Sequence, residues 1–171
     1  MTPDLVREFG LLTLGTRLRR LGERLQLQTQ AVLESSDLSV PVSHFPLLAA
    51  LDRHGALSVG SLAEAIGVSQ PAVTRQLGRL EADGLVESLV AAGDQRLREI
   101  QLSAAGRQLV TRAKRLSWPA IEAAVADACG ADGPRLLAAL AALEDALAAE
   151  PLDQRAARLA VPKKRARRAS A

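Results

Sequence analysis

The sequence predicts a mainly α protein with a small β-wing: a winged helix-turn-helix set between long N- and C-terminal helices. Three observations predict it. The 171 residues are rich in Ala, Leu and Arg but hold two Phe, one Trp and no Tyr, which suits helices and denies a β-sandwich or barrel its aromatic residues. Leucines recur at steps of three and four near both ends of the chain. Between them, two short helical patterns meet at a G-V-S turn and lead into two extended runs.

Residues 5 to about 35 read as one long helix, with Leu11, Leu14, Leu18, Leu21, Leu25 and Val32 on a narrow stripe interrupted only at Gln28. Such a stripe packs against another helix, in the same chain or a partner. SSDLSVPVS is punctuation. A second helix spans 44–53, with Ser43 as N-cap, Pro46 in the first turn and Gly55 as the stop. Ser58 opens a third, short helix that ends at Gly67, where the turn needs a residue free to take positive φ. Ser69 caps a fourth, running to about Asp83. Residues 85–90 and 97–102 are extended around AAGDQR, whose Gly and Asp mark a turn, so a β-hairpin follows the helix-turn-helix directly. Ser103 caps a long helix to about Ala128, bent or broken near Pro119. After GADGP a last helix aligns Leu136, Leu140, Leu143 and Leu147, and Pro151 ends it. The organisation expected is an N-terminal helix over 1–40, a winged helix-turn-helix over 41–103, C-terminal helices over 104–150 and a disordered basic tail over 151–171.

Charge and motifs narrow the function. Of the net +3, residues 151–171 hold seven basic side chains against Asp153, so the body is acidic and the high pI belongs to the tail. PKKRARR is either an arm adding non-specific phosphate affinity or a solubilising end. One cysteine, Cys129, and two separated histidines form no internal disulfide and no zinc site, so no metal and no cofactor are expected. The start of the chain lacks the pattern of a secretory leader and no run is apolar enough to span a bilayer; a soluble, cytoplasmic protein is expected. No nucleophile elbow, phosphate-cradling loop or H-E-x-x-H is present, which argues against an enzyme.

The fourth helix carries the functional signal. Val73, Leu77 and Leu80 share a narrow arc, while Arg75 and Arg79 project nearly opposite and Gln70 and Thr74 lie on one flank. Acidic residues wait until Glu81 and Asp83, at the end away from the turn. A carboxylate on the first turns would meet phosphates with like charge, so an acid-free tip suits a major groove. From Ser69 to Arg115 eight basic residues face five acidic ones inside an otherwise acidic body.

These residues resemble a known family. LSVGSLAEAIGVSQPAVTRQLGRLEADGLVE followed by DQRLREIQLSAAG is similar to the winged helix-turn-helix of the MarR family of bacterial transcription regulators, most specifically in Asp94, Arg96, Leu102 and Ser103. The resemblance covers residues 5–149. It implies a homodimer whose terminal helices interlock, with double-stranded DNA as partner. In the family pattern Ser69, Gln70, Thr74 and Arg75 meet bases or nearby phosphates and Arg79 the backbone; Arg96 enters the minor groove, Asp94 holds that arginine, and Arg98 contacts phosphate. Gln95, Ser88 and Leu89 depart from it, standing where basic residues are common on the wing. His44 and Phe45 fall near the family's effector pocket; the plainer reading is a capping-turn histidine and a core phenylalanine. Trp118 packs at a helix bend, and Cys129 acts as a small buried apolar residue rather than a peroxide sensor. The expectation is therefore a homodimeric repressor on a pseudo-palindromic operator, open to release by a small molecule. Its competitor is a winged-helix protein-interaction module.

Overall fold

The structure, a computed structural model, describes residues 3–38, 40–90 and 98–160. The chain falls into two units, Met1–Ala124 and Val125–Ala171.

In the first unit the N-terminal stretch is not the single helix that its leucine spacing predicts. A short helix α1 (Leu5–Glu8) and a 3-10 turn (Gly10–Thr13) precede α2 (Leu14–Ser35). Gly10 makes the break: it takes φ +55°, a left-handed conformation that side chains avoid. The Thr13 hydroxyl then donates to the Val6 carbonyl at 2.6 Å and fastens the turn. An apolar stripe carries across such a turn as readily as along a helix, so periodicity is blind to it. α2 buries only Leu33, leaving Leu18, Leu21 and Leu25 exposed at 36%, 47% and 39%.

A 3-10 turn (Val42–His44) leads into α3 (Phe45–His54). Ser43 does not cap it; His44 occupies the N-cap position and no side chain bonds there, while Gly55 at φ +78° ends the helix as expected. Two residues then form β1 (Leu57–Ser58), a strand too short to show alternation in sequence, which pairs through Leu57 and Ile100 with the wing. α4 (Val59–Ile66) and α5 (Gln70–Ala82) are the helix-turn-helix; β2 (Val86–Val90) and β3 (Arg98–Leu102) are the wing strands, and α6 (Ala104–Cys129) follows. The antiparallel sheet has the order β1-β3-β2, in register from Val86↔Leu102 to Val90↔Arg98. The core joins Leu33, Leu47, Leu48, Leu62, Leu80, Ile100 and Val110, each nearly sealed from solvent. Burying each contributes roughly 1.5–3 kcal/mol, so the helix-turn-helix is rigidly backed.

Ser103 does cap α6: its hydroxyl accepts the Gly106 N–H at 3.0 Å and donates to the Gly84 carbonyl at 2.6 Å. The helix runs unbroken across Pro119. Next to it Trp118 meets Phe45 edge to face, centroids 6.4 Å apart.

The second unit holds the last turns of α6, a 3-10 turn (Gly130–Asp132), α7 (Gly133–Ala149) and α8 (Leu152–Leu159). Cys129 is half-buried, not the enclosed apolar residue expected. α7 buries no residue, and Leu136 and Leu147 of its stripe are 44% and 40% exposed. α8 corrects the expectation of disorder directly after Pro151. Proline stops one helix and opens the next, standing here at the N-cap. Arg158 donates bidentately to the Glu150 carboxylate at 2.8 Å, holding that carboxyl below its ordinary pKa, and Arg155 reaches the Ala146 carbonyl. Residues 161–171, with the basic run from Lys163 to Arg168, lie outside the described residues. Among the described residues no helix is long and apolar enough to cross a membrane, and no cluster of His, Cys, Asp and Glu is arranged to hold a metal.

Candidate nucleic-acid interface

Helix α5 is positioned from both ends. At its start, the Ser58 hydroxyl accepts the Ser61 N–H and opens α4; Gly67 closes α4 in the left-handed region at φ +67°, and the Val68 N–H returns to Ala63. Ser69 holds the N-cap backbone position of α5, but its hydroxyl makes no capping bond, contrary to the capping expected of it. Among the described residues that hydroxyl has no hydrogen-bond partner, so it can serve an external acceptor. Pro71 fits the first turn, where its missing N–H costs nothing.

Along α5, Val73, Leu77 and Leu80 are buried, while Ser69, Gln70, Thr74, Arg75 and Arg79 are all exposed. The structure thus brings the five together on the outward side, with no acid in the first turn. Thr74 donates to the Gln70 carbonyl at 2.9 Å, so its hydroxyl keeps lone pairs for an outside donor. The Gln70 amide nitrogen would lie 3.5 Å from a Cβ built at Gly60, so this side chain leans on the first turn of α4.

At its far end α5 is tied to the wing. Ser88 donates to Glu81 at 2.6 Å, which gives the departure at Ser88 a structural role: it pins β2 to α5. Gln101 donates to Glu87 across the strands at 2.7 Å. After Gly84, at φ +67°, the Leu85 N–H returns to Leu80, and the Leu85 carbonyl accepts the Ser103 N–H. A residue that sequence reasoning missed sits there. A Cβ built at Gly106 would fall 2.0 Å from the Leu85 oxygen, so α6 and the start of the wing touch backbone to backbone. No motif marks a glycine needed for close approach inside a helix. Asp94, Gln95 and Arg96 lie outside the described residues; Arg98 opens β3, opposite Val90.

His44 and Phe45 part company. Phe45 lines an apolar cleft of about 370 Å³ with Thr29, Leu33, Val42, Pro46, Ala49, Trp118 and Ile121, whereas His44 does not line it. His44 is almost fully buried and its Nδ1 has no partner among the described residues. Burial above all, and then Arg79 of α5, push its pKa below the ordinary value of 6.5, with Asp83 opposing. The folded state therefore prefers the neutral imidazole. Stability is full above about pH 6.5 and falls as pH drops through that value toward the depressed one, because the unfolded chain takes the proton first. A urea midpoint that declines between pH 7 and pH 5, with a shallower decline in His44→Gln, is the expected result.

Residues 36–97 match the MarR family. Among solved structures, the chain is 29% identical to the M. tuberculosis transcriptional regulator MOSR in complex with DNA, covering 80% of this chain and 97% of that one at a TM-score of 0.68. A MarR family transcriptional regulator from Silicibacter pomeroyi is 28% identical, covering 85% and 96% at a TM-score of 0.58. A mutant of MarR from E. coli complexed with operator DNA shares the fold at 23% identity, covering 85% and 99% at a TM-score of 0.64. No curated protein matches.

Proposed function

Because this chain belongs to the MarR family of winged helix-turn-helix transcriptional regulators, we propose that it acts as a homodimeric repressor of a pseudo-palindromic operator, each protomer laying α5 in a major groove. The observation that carries this is the sorting of α5: apolar side chains sealed inward, Ser69, Gln70, Thr74, Arg75 and Arg79 outward, and no acid at the tip. Gln70 and Arg75 have the donor geometry to read base edges, each good bidentate pair being worth about 1–3 kcal/mol of discrimination. Ser69 and Arg79 suit phosphates flanking the groove. Asp94, Arg96 and Arg98 are assigned to the wing's minor-groove and phosphate contacts on the family pattern. With Ser88 turned to Glu81 and Leu89 apolar, β2 offers few phosphate contacts, which predicts a shallow salt dependence.

The dimer reading rests on unsatisfied surface. α2 and α7 carry leucine stripes that the chain itself leaves open, and contiguous apolar surface of that kind is normally covered. The cleft beside Phe45 and Trp118 supports release by an apolar small molecule, which acts by binding better to a dimer whose reading helices are wrongly spaced. The interaction-module alternative is disfavoured, because the outward face of α5 lacks the aromatic anchors of protein interfaces.

Arg75→Ala tests the reading. Affinity for an operator fragment selected from the source genome is expected to fall by about tenfold to a hundredfold, while affinity for unrelated DNA of equal length changes little. An unchanged ratio of the two would remove α5 as the reading element.

A further inference from the structure

The fold-back of α1 onto α2, which DNA reading does not use, builds a second polar site. The left-handed turn at Gly10 and the Thr13–Val6 bond reverse the chain, so that Asp4 meets Arg20, sixteen residues on. The result is a hollow of about 180 Å³ lined by Asp4, Arg7, Arg17, Arg20, Leu21 and Arg24. Arg20 donates to both Asp4 oxygens, at 3.1 and 2.9 Å, and Arg7 lies 3.5 Å from the same carboxylate. The Arg20 guanidinium holds the Asp4 carboxyl below its usual pKa, so this acid stays ionised and fully engaged.

Arg17 and Arg24 stand one turn either side of Arg20 on the same face of α2, and neither has an acidic partner among the described residues. The nearby Glu23 faces Arg19 instead. Four guanidinium groups around one carboxylate leave uncompensated charge in a concave site, with like charges close enough to repel. Guanidinium forks match phosphate and carboxylate oxygens bidentately, and such charge-assisted bonds are the strong ones. From this arrangement we infer that the hollow binds a compact polyanion of the diphosphate type: Arg17 and Arg24 take its oxygens, Arg7 and Arg20 are pre-oriented beside them by Asp4, and whatever is attached to the anion stays outside.

The proposal is independent of DNA reading and predicts a separate titration. Isothermal calorimetry of the full chain with inorganic pyrophosphate at constant ionic strength is expected to show one site per chain. Arg17→Ala with Arg24→Ala is expected to weaken it at least tenfold with sedimentation and circular dichroism unchanged, and Arg17→Lys with Arg24→Lys to give an intermediate loss, since charge remains but the fork is gone. Gly10→Val strains the turn and should weaken binding without altering any lining side chain. A citrate arm separates the sources: weaker citrate binding assigns the site to phosphates, equal binding to polyanions of either kind. The proposal is overturned if wild type takes up neither anion, if the double alanine variant binds as well as wild type, or if that variant dissociates the oligomer or loses DNA affinity while wild type ignores pyrophosphate. In those last two cases the arginines belong to an interface between copies or to a DNA contact.

Discussion

Gly106→Ala is expected to be strongly destabilising, because it opens the junction of α5, the wing and α6. The added methyl would sit 2.0 Å from the Leu85 carbonyl oxygen, 3.1 Å from its carbon and 3.3 Å from a Leu102 methyl. The first two are backbone atoms, and they cannot retreat alone. Leu85 is bonded through its N–H to Leu80 at 2.8 Å and through its carbonyl to Ser103 at 3.0 Å, while the Ser103 hydroxyl spans Gly84 and Gly106. Yielding therefore means separating the end of α5, the start of the wing and the first turn of α6 together. Overpacking of this kind costs on the order of 3 kcal/mol, which for a chain of this size lowers Tm by roughly 6–12 °C. Ser103→Ala, which deletes only the capping hydroxyl of the same junction, should cost about 1 kcal/mol. Thermal unfolding followed by circular dichroism checks both, and equal losses in the two variants would contradict the close approach at Gly106.

A larger effect on function is expected from Leu18→Glu combined with Leu25→Glu. Both side chains lie on the α2 stripe that the chain leaves open and that is proposed as the dimer seam; neither lines the arginine hollow, although Leu21 between them does. Two carboxylates per helix placed in an apolar seam would have to be desolvated without partners, which association cannot offset. The expected product is a folded monomer by sedimentation velocity. Its operator affinity should fall by about a hundredfold or more, since linked half-site binding adds on the order of 10²–10⁴ in avidity. A variant that remains dimeric would place the seam elsewhere.

What the sequence disclosed, and what it did not, follows from the range of each interaction. The helix-turn-helix was legible because its determinants are local: Ser58 caps within three residues, Gly67 turns where it stands, and Val73, Leu77 and Leu80 share one helical face. The outward set on α5 was legible for the same reason, as the complement of that buried face. Features that depend on distant partners were not. β1 exists only because Leu57 finds Ile100, forty-three residues on, and Gly106 matters only because Leu85 lies against it. Ser43 and Ser69 are the right residue type for a cap, yet His44 takes the N-cap position of α3 and Ser69 makes no capping bond at its own, since propensity names candidates and local backbone geometry chooses. The break at Gly10 and the helix after Pro151 were misread because glycine and proline each permit two outcomes, and Thr13 in one case and Glu150 in the other decide between them. The family pattern set His44 and Phe45 together near a pocket, with a capping-turn histidine and a core phenylalanine as the plainer reading; His44 does stand at the N-cap, Phe45 is both core and cleft wall, and His44 does not line the cleft.

The measurement that bears most directly on the central claim is the stoichiometry and symmetry of the complex with an operator fragment drawn from the source genome. Sedimentation equilibrium joined to hydroxyl-radical footprinting is expected to give two chains per fragment, with two protected patches related by a dyad and centred about 34–36 Å apart, one helical turn of DNA. A single chain per fragment, or one protected patch without a symmetry mate, would contradict the account of two clasped copies reading successive grooves.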